Sequence, residues 1–461
     1  MDPGATSTVA CLLGLFPAVK FRHLFFCAAL FAALADAQNP KRIALVGGML
    51  LNGYELPPIH HAAVLIEGNR IVQAGPAAEV KIPPDATIID TRGRTMMPGM
   101  IELHAHLVVV GHGDYPRWFQ WLDEHKDKYP IEKVMELSAR QLLMAGITSA
   151  IDLGAPLKES ISVRDRIKRN EIPGPRLSVS GPWIIPRAAM FPNASAVANG
   201  PEQAAAAAEA NIAAGVDVIK IQGGLHFPEY QAIVEVAHKH NIKVHVHINE
   251  EADIWDAYKA GIDVLHHVGS ASSPPYSDAL IRAIVESGRA VVPTAGRSGI
   301  YPVTVAFPER LEDPDIAAEF PPDMWAEIQD SFKTFYALGY FQANIEKSDR
   351  FREVSLKQWI NSGALLGMGT DNGVPMTFHA DSLWRLAKLY ADYGMPPSRI
   401  IATLTRINAR ILGKSNQLGT IEPGKLADII VLKGNPLFDV IALANPEVVI
   451  KDGIVYKGAQ Q

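Results

Sequence analysis

The sequence predicts an α/β fold, a (β/α)8 TIM barrel accompanied by a β-sandwich domain formed from both chain ends. Three observations support this prediction. Eight apolar, β-branched runs alternate with helix-like segments through the middle of the chain, and short β-rich segments stand at both ends. Histidines, an aspartate and a lysine recur towards the C-terminal ends of five of the eight runs. Barrel enzymes place their active sites at that end of the strands, so the pattern favours an enzyme.

The 461 residues suit one large barrel and a modest second domain. We predict a leader at residues 1–37, a first part of the sandwich at 38–97, the barrel at 98–417 and a second part of the sandwich at 418–461. The β-rich segments of the ends are Arg42–Gly47, His61–Glu67, Arg70–Ala74, Ala86–Asp90, Ala427–Leu432, Glu447–Lys451 and Ile454–Tyr456. Asp452-Gly453 predicts a hairpin turn between the last two segments.

The leader has the pattern of a signal peptide. A basic stretch precedes the apolar run Leu24–Leu34, and Ala35-Asp36-Ala37 provides a small-x-small cleavage site. The run is shorter than the roughly 20 residues of a membrane-spanning helix, so we expect export to the periplasm or medium without a stable membrane anchor after cleavage. A buried N-terminal helix or a membrane anchor is the alternative. Whether translation starts at Met1 or near Val19 stays open.

Cysteine usage and charge exclude several classes of site. Both cysteines, Cys11 and Cys27, lie in the leader, so the mature chain would have no disulfide and no thiolate ligand. Any metal would therefore be held by histidine, by a carboxylate or by a rarer group. The formal net charge is −6 and no basic stripe is present, which argues against a nucleic-acid partner.

The middle of the chain contains the predicted barrel strands and helices. The eight strands are Met97–His106, Gly146–Leu153, Arg176–Ile184, Val216–Gln222, Lys243–Ile248, Asp263–Val268, Ala290–Thr294 and Leu365–Thr370. Helical segments are predicted at Ile131–Ala145, Pro201–Ala214 and Tyr230–His240. Extra helical material at Met324–Ile345, between strands 7 and 8, is expected to cap the mouth of the barrel.

Two strands carry histidine pairs at alternate positions. His104 and His106 on strand 1 point to the same face, because successive residues of a strand alternate. Two imidazoles on one face suit a divalent cation, although structural histidines would give the same pattern. His245 and His247 on strand 5 also share a face. His247 is nearer the mouth and is the predicted ligand, whereas His245 lies deeper, in a supporting layer, and is a candidate substrate contact.

Strands 6 and 8 add a histidine and a carboxylate. His266 and His267 are adjacent, so alternation lets only one of them face inward, and His267 is the predicted ligand. Asp371 follows strand 8 and would both bind a metal and act as a general base.

Lys220 lies in the middle of strand 4, where a bare cation is costly because its desolvation is uncompensated. Carboxylation by CO2 would convert it into a carbamate able to bridge two divalent metals, with Zn2+ the expected ion. A lysine that extends to the mouth, or one paired with a buried acid, is the alternative. Candidate ligands on five strands, taken together, favour a binuclear metal site over the structural alternatives given for each residue alone.

Four motifs resemble the amidohydrolase superfamily, in the branch of imidazolonepropionase-related hydrolases that includes Xaa-Pro dipeptidases and ochratoxinase-type amidases. They are Pro98-Gly-Met-Ile-Glu-Leu-His-Ala-His, Asp217-Val-Ile-Lys-Ile, Gly367-Met-Gly-Thr-Asp-Asn-Gly and the tail Leu418-Gly-Thr-Ile-Glu-Pro-Gly-Lys-Leu-Ala-Asp-Ile-Ile-Val-Leu. The resemblance extends from about Arg42 to the C-terminus. It implies that His104, His106 and Asp371 hold one metal. It also implies that His247 and His267 hold the other, with the Lys220 carbamate between them.

The resemblance implies hydrolysis of an amide bond in a small substrate, such as a dipeptide or an N-acyl amino acid. A metal-bridging hydroxide would attack the carbonyl, and Asp371 would pass the proton to the leaving nitrogen. Arg187 follows strand 3 and Arg297 follows strand 7, so either could clamp a substrate carboxylate.

Other readings stay open. The same site could serve a lactonase, a carboxylesterase or an organophosphate hydrolase. A mononuclear deaminase is less favoured, because its chemistry does not need Lys220. A non-catalytic scaffold is also less favoured, because it would be expected to lack some of the metal ligands, and all of them are present. Asn249 stands where several relatives carry a second histidine, and 181–187 lacks the histidine that many carry after strand 3. Both departures leave the identity of the substrate open and do not affect the predicted metal ligands. The sequence is also compatible with a homo-oligomer.

Overall fold

The structure is a computed structural model that describes residues 41–458 except 188–190, 192, 271–272, 296–307, 339–350 and 352. The predicted signal peptide, its cleavage site and Arg297 lie outside the described residues. Among the described helices, none is both long and apolar enough to cross a membrane.

The strands lie in three sheets. In chain order they are β1 (Arg42–Leu50), β2 (Ile59–Glu67), β3 (Arg70–Pro76), β4 (Thr87–Asp90), β5 (Thr95–Pro98), β6 (Met100–Ala105), β7 (Ile147–Asp152), β8 (Arg176–Val179), β9 (Trp183–Ile185), β10 (Ser195–Val197), β11 (Val218–Ile221), β12 (Lys243–His247), β13 (Val264–His266), β14 (Ala290–Val292), β15 (Leu365–Leu366), β16 (Ile429–Leu432), β17 (Val448–Lys451) and β18 (Ile454–Lys457).

Strands from both chain ends share one eight-stranded sheet with the order β18-β17-β16-β5-β1-β2-β3, and β4 pairs with β1. The two ends meet where β5 runs antiparallel to β16, with Met97 opposite Ile430. The predicted hairpin between β17 and β18 is present, and Asp452 and Gly453 both have positive φ, 50° and 72°. That backbone matches the twist of the two strands and suits an Asp-Gly turn.

The strands of the chain's middle are parallel and lie in two sheets, β6-β7-β8 and β10-β9-β11-β12-β13-β14-β15. All eight predicted barrel strands are present, and the chain has a TIM-barrel-like α/β fold. Predicted strand 3 is divided into β8 and β9 because Gly181, with φ of 60°, and Pro182 break the ladder. The end of β6 meets the segment after β15, where the His106 amide donates to the Asn372 carbonyl over 3.0 Å.

Helices connect successive strands. Their bounds are Tyr115–Glu124, Ile131–Met144, Leu157–Lys168, Pro201–Ala214, Phe227–Lys239, Glu251–Ala260, Asp278–Ser287, Pro314–Ala317, Pro322–Ser331, Ser382–Asp392, Pro397–Ala402 and Asn408–Ile411. Three were predicted to within a few residues: two have apolar residues at helical spacing, and Pro201–Ala214 has a run of alanines, which favours a helix. The predicted helix Met324–Ile345 is observed as Pro322–Ser331, and much of its second half lies outside the described residues.

Candidate metal centre

His104 and His106 extend from the C-terminal end of β6 towards Asp371. Their Nε2 atoms lie 3.5 Å and 3.0 Å from Oδ1 of Asp371, and all three side chains are buried. Backbone pairing sets this approach, since the Asp371 amide donates to the His104 carbonyl over 2.9 Å. The structure therefore brings together the three residues predicted to share one metal.

Glu102 holds the two strand ends in register beneath these side chains. Its Oε1 accepts from the His104 amide over 2.8 Å and from the Thr370 amide over 2.9 Å, and its Oε2 accepts from the Thr370 hydroxyl over 2.9 Å. Burial raises the pKa of Glu102 to about 8. Through these hydrogen bonds the Glu102 carboxyl group links the end of β6 to the segment after β15.

His267 joins the cluster from the end of β13. The ligand atoms of His104, His267 and Asp371 all lie within 4.8 Å of one another, a spacing that allows one metal ion to reach the three. Nδ1 of His267 lies 2.7 Å from the Thr294 hydroxyl, so Nε2 is the nitrogen available to a metal. The His247 ring lies 4.0 Å from the His267 ring, which pairs the two residues predicted to hold the second metal.

The backbone at the cluster adopts an uncommon conformation at three strand ends. His267, Thr294 and Asp371 have φ of 70°, 49° and 60°. The left-handed region is uncommon for residues other than glycine and is unfavourable for β-branched threonine, and such residues concentrate at functional sites. His267 and Asp371 contribute ligand atoms to the cluster, and Thr294 contacts His267 through its hydroxyl.

The expectation that only one of His266 and His267 turns inward is wrong. His266 is fully buried, and its Nδ1 lies 2.9 Å from Nδ1 of His104. Strict alternation fails because the left-handed backbone of His267 ends β13 and redirects that side chain. His266 therefore lies below the cluster, while His267 belongs to it.

Lys220 is 1% exposed on β11, and its register partner across the parallel pair is His245. Burial, and next the Lys220 charge, lower the pKa of His104, His245 and His266 well below the usual histidine range. Neutral imidazole is the form that binds metals, and a buried set of imidazoles and one carboxylate suits Zn2+. The donor set therefore fits a divalent metal, and Lys220 lies beside it.

The three predicted substrate contacts lie in different places. Arg187 is exposed just after β9, and Arg297 lies outside the described residues. His245 is buried, and its Nδ1 lies 2.9 Å from Nε2 of His266. It also lines a cavity of about 610 Å3 together with Arg176 and Lys243, which begin their strands. This position, at the N-terminal end of the strands, favours the supporting role of His245 over contact with substrate.

Sequence reasoning assigned no role to several polar residues near the cluster, Glu102 among them. Thr294 and His266 contact cluster histidines, as described above. Asp152 ends β7, accepts from the Leu107 amide over 3.1 Å and has a pKa raised to about 6 by burial. The strand-end rule that found Asp371 applies equally to Asp152. Another such residue is His379, whose pKa is lowered by burial to about 3. It lies in an irregular loop, so no strand pattern could have revealed it.

A parallel α/β scaffold with histidines and a carboxylate at its strand ends is typical of metal-dependent hydrolases with a TIM-barrel-like fold. The chain matches the amidohydrolase family over residues 95–457 and belongs to that family. It is therefore a hydrolase that acts on carbon–nitrogen bonds, and the resemblance stated from the sequence motifs is confirmed.

Two curated relatives and one solved structure illustrate the similarity. The 5-methylthioadenosine/S-adenosylhomocysteine deaminase of Symbiobacterium thermophilum is 24% identical over 446 residues, covering 87% of this chain and 89% of the relative. Ochratoxinase of Aspergillus niger is 24% identical over 473 residues, covering 92% and 88%. The structure of a Xaa-Pro dipeptidase with bound methionine in the active site superposes with a TM-score of 0.70 at 24% identity, covering 91% of this chain and 100% of that chain. At this identity the structural likeness shows the fold.

Proposed function

We propose that the protein is a binuclear metal-dependent amidase that cleaves an amide bond of a small substrate such as a dipeptide or an N-acyl amino acid. The observation that carries the proposal is that the ligand atoms of His104, His267 and Asp371 all lie within 4.8 Å of one another. His106 approaches Asp371 on one side, and His247 approaches His267 on the other. This arrangement supports two adjacent metal positions.

Lys220 supplies the element that distinguishes a binuclear site from a mononuclear one. Its side chain is buried among His104, His245 and His266, where an ammonium is costly. Carboxylation would replace that charge with an anionic carbamate suited to a position between two cations. His104, His106 and Asp371 would then hold one metal, and His247 and His267 the other.

Two bound divalent metals, Zn2+ by the chemistry of the donors, would lower the pKa of a water and polarise the scissile carbonyl. The remaining chemistry belongs to Asp371. Its carboxylate lies at the mouth within 3.0 Å of His106, buried from bulk solvent. There it accepts the proton of the attacking water and donates it to the leaving nitrogen, so that the departing amine leaves neutral.

An arginine at the mouth is proposed to clamp a substrate carboxylate. Arg187 is exposed after β9, at the C-terminal end of the parallel sheet, and has the planar donor geometry that pairs with a carboxylate. Arg297, which follows β14 in sequence, is the other candidate for the clamp. Cleavage of dipeptides by the Xaa-Pro dipeptidase of the same fold agrees with a substrate that carries a free carboxylate.

Two wider proposals accompany this function. The two parallel sheets would form one interrupted eight-stranded barrel, with the sheet of the chain ends as a separate β-sandwich domain. The leader would direct export, with cleavage after Ala37 and no membrane anchor on the mature protein. N-terminal sequencing of the native protein tests the second proposal, and an intact Met1 or Val19 terminus on cytoplasmic protein would refute it.

The experiment that tests the function combines metal analysis with a substrate panel. Purified protein is expected to contain about two equivalents of divalent metal per chain and to hydrolyse N-acyl amino acids or dipeptides. Matched lactones, carboxylic esters and organophosphates in the same panel separate the competing hydrolase activities. Well under one equivalent of metal, or turnover restricted to esters or lactones, would overturn the proposal.

A further inference from the structure

Three histidines from three strands form a continuous hydrogen-bonded row through the interior. Nδ1 of His104 lies 2.9 Å from Nδ1 of His266, and Nε2 of His266 lies 2.9 Å from Nδ1 of His245. The three side chains are at most 1% exposed. The row runs from the metal cluster to the cavity at the N-terminal end of the strands, which His245 lines.

Each contact in this row needs one donor and one acceptor nitrogen, and an imidazole binds a metal in its neutral form. Neutral imidazole carries a single proton. The donors of the row must therefore all point in the same direction, towards His245 or towards His104. The two directions place different nitrogens of His104 in the protonated state.

Only one direction is compatible with metal binding. Nε2 of His104 is the atom that faces Asp371, so coordination requires the proton on Nδ1. His104 then donates to His266, and His266 donates to His245. Nε2–H of His245 is left outside the row, and His245 lines the cavity. In the opposite direction the proton lies on Nε2 of His104 and blocks the ligand atom.

We infer that His266 and His245 are positioning residues that hold His104 in the tautomer and orientation in which Nε2 binds the metal. This inference rests on the proposed metal centre, to which it adds two residues that touch neither metal nor substrate. The arrangement also accounts for a fully buried His266, whose two ring nitrogens are both satisfied by other histidines.

Paired substitutions test the inference. His266→Leu removes the acceptor for the His104 Nδ1–H, whereas His266→Asn places an amide oxygen near the former Nδ1. His266→Leu is expected to weaken metal affinity about 10–100-fold, the usual effect of losing a partner that orients a ligating histidine. His266→Asn is expected to restore most of that affinity. Affinity is measured by competition with a chelator, and the Co2+ absorption spectrum reports the geometry of the site.

His112→Asn is the matched control, because His112 is equally buried but bonds Glu327 outside the row. It should bind metal as the wild type does. If His266→Leu does not fold, the pair His245→Leu and His245→Asn replaces it, with a smaller loss expected in the leucine variant. Equal affinity and an unchanged Co2+ spectrum in leucine and asparagine variants would overturn the inference. Wild-type protein that binds no metal would instead refute the proposed function.

Discussion

The Thr294 hydroxyl lies 2.7 Å from Nδ1 of His267, and both residues adopt left-handed backbone conformations at the ends of neighbouring parallel strands, β14 and β13. A β-branched residue is rarely found in that region, and its cost must be offset by surrounding structure. The contact occupies one imidazole nitrogen and directs the other to the cluster. Thr294 thus has the same relationship to His267 as His266 has to His104.

Thr294→Val is expected to weaken metal binding, because valine keeps the shape of threonine but removes the hydroxyl that orients His267. A loss of about 10–100-fold in affinity is the ordinary magnitude for such a partner. Thr294→Ser keeps the hydroxyl and should bind nearly as tightly as wild type. Titration with a competing chelator distinguishes the two variants, and equally tight binding by both would show that the contact does not matter for the metal.

Lys220→Ala is expected to lose metal and activity together, because the bridging carbamate is removed. Short carboxylic acids should partly restore both by occupying the same position. Lys451 provides the control, because it is about as buried as Lys220, at 2% exposed. Its Nζ donates to the carbonyl of Gly174, which lies in a distant loop. Lys451→Met should lower the melting temperature but keep the metal. Full metal content in Lys220→Ala without added acid would contradict the bridging role.

Asp371→Asn is expected to lower kcat by about 10²–10⁴-fold, the usual contribution of general acid–base catalysis. Asparagine also tolerates the left-handed backbone seen at Asp371, so the local fold should survive the substitution. Circular dichroism and metal analysis check that the variant is folded and loaded. A near-wild-type rate at full metal content would exclude Asp371 as the proton shuttle.

Removing His112 is expected to flatten the acid side of the stability profile. Burial lowers the pKa of His112, with Glu327 opposing the shift, while the ring donates to Glu327 and accepts from the Asp114 amide. Because the folded pKa lies below the unfolded value of 6.5, the stability from this group is present above pH 6.5 and is lost as pH falls. Melting temperatures at about pH 7.5 and about pH 5.5, on either side of the histidine range, should differ less in His112→Gln than in wild type. An equal difference would refute this prediction.

The proposed carboxylate clamp predicts a preference for acids over neutral analogues. An N-acyl amino acid or dipeptide should be hydrolysed with a much lower KM than its C-terminal amide, since a guanidinium pairs with a carboxylate through two charge-assisted hydrogen bonds. Arg187→Ala and Arg297→Ala, made separately, should reduce that preference if the substituted residue forms the clamp. Equal turnover of acid and amide by the wild type would leave both arginines with a structural role.

Local sequence patterns were sufficient for much of the scaffold. The parallel strands β11, β12 and β13 are short apolar runs, and the Asp-Gly turn before β18 follows from residue types alone. His104 and His106 could be assigned to one face of β6 because alternation along a strand needs no tertiary information. Their approach to Asp371 followed from parallel strands presenting their C-terminal ends at one mouth.

Tertiary packing decided what lies around those residues. The left-handed backbone of His267 breaks the alternation that would have turned His266 away, and the register of neighbouring strands then joins His104, His266 and His245 in one row. Thr294 reaches His267 across 27 positions of sequence. Such contacts depend on backbone torsions at strand ends and on pairing between distant segments. Periodicity within a single segment carries no information about either, which is why the cluster could be predicted and its supports could not.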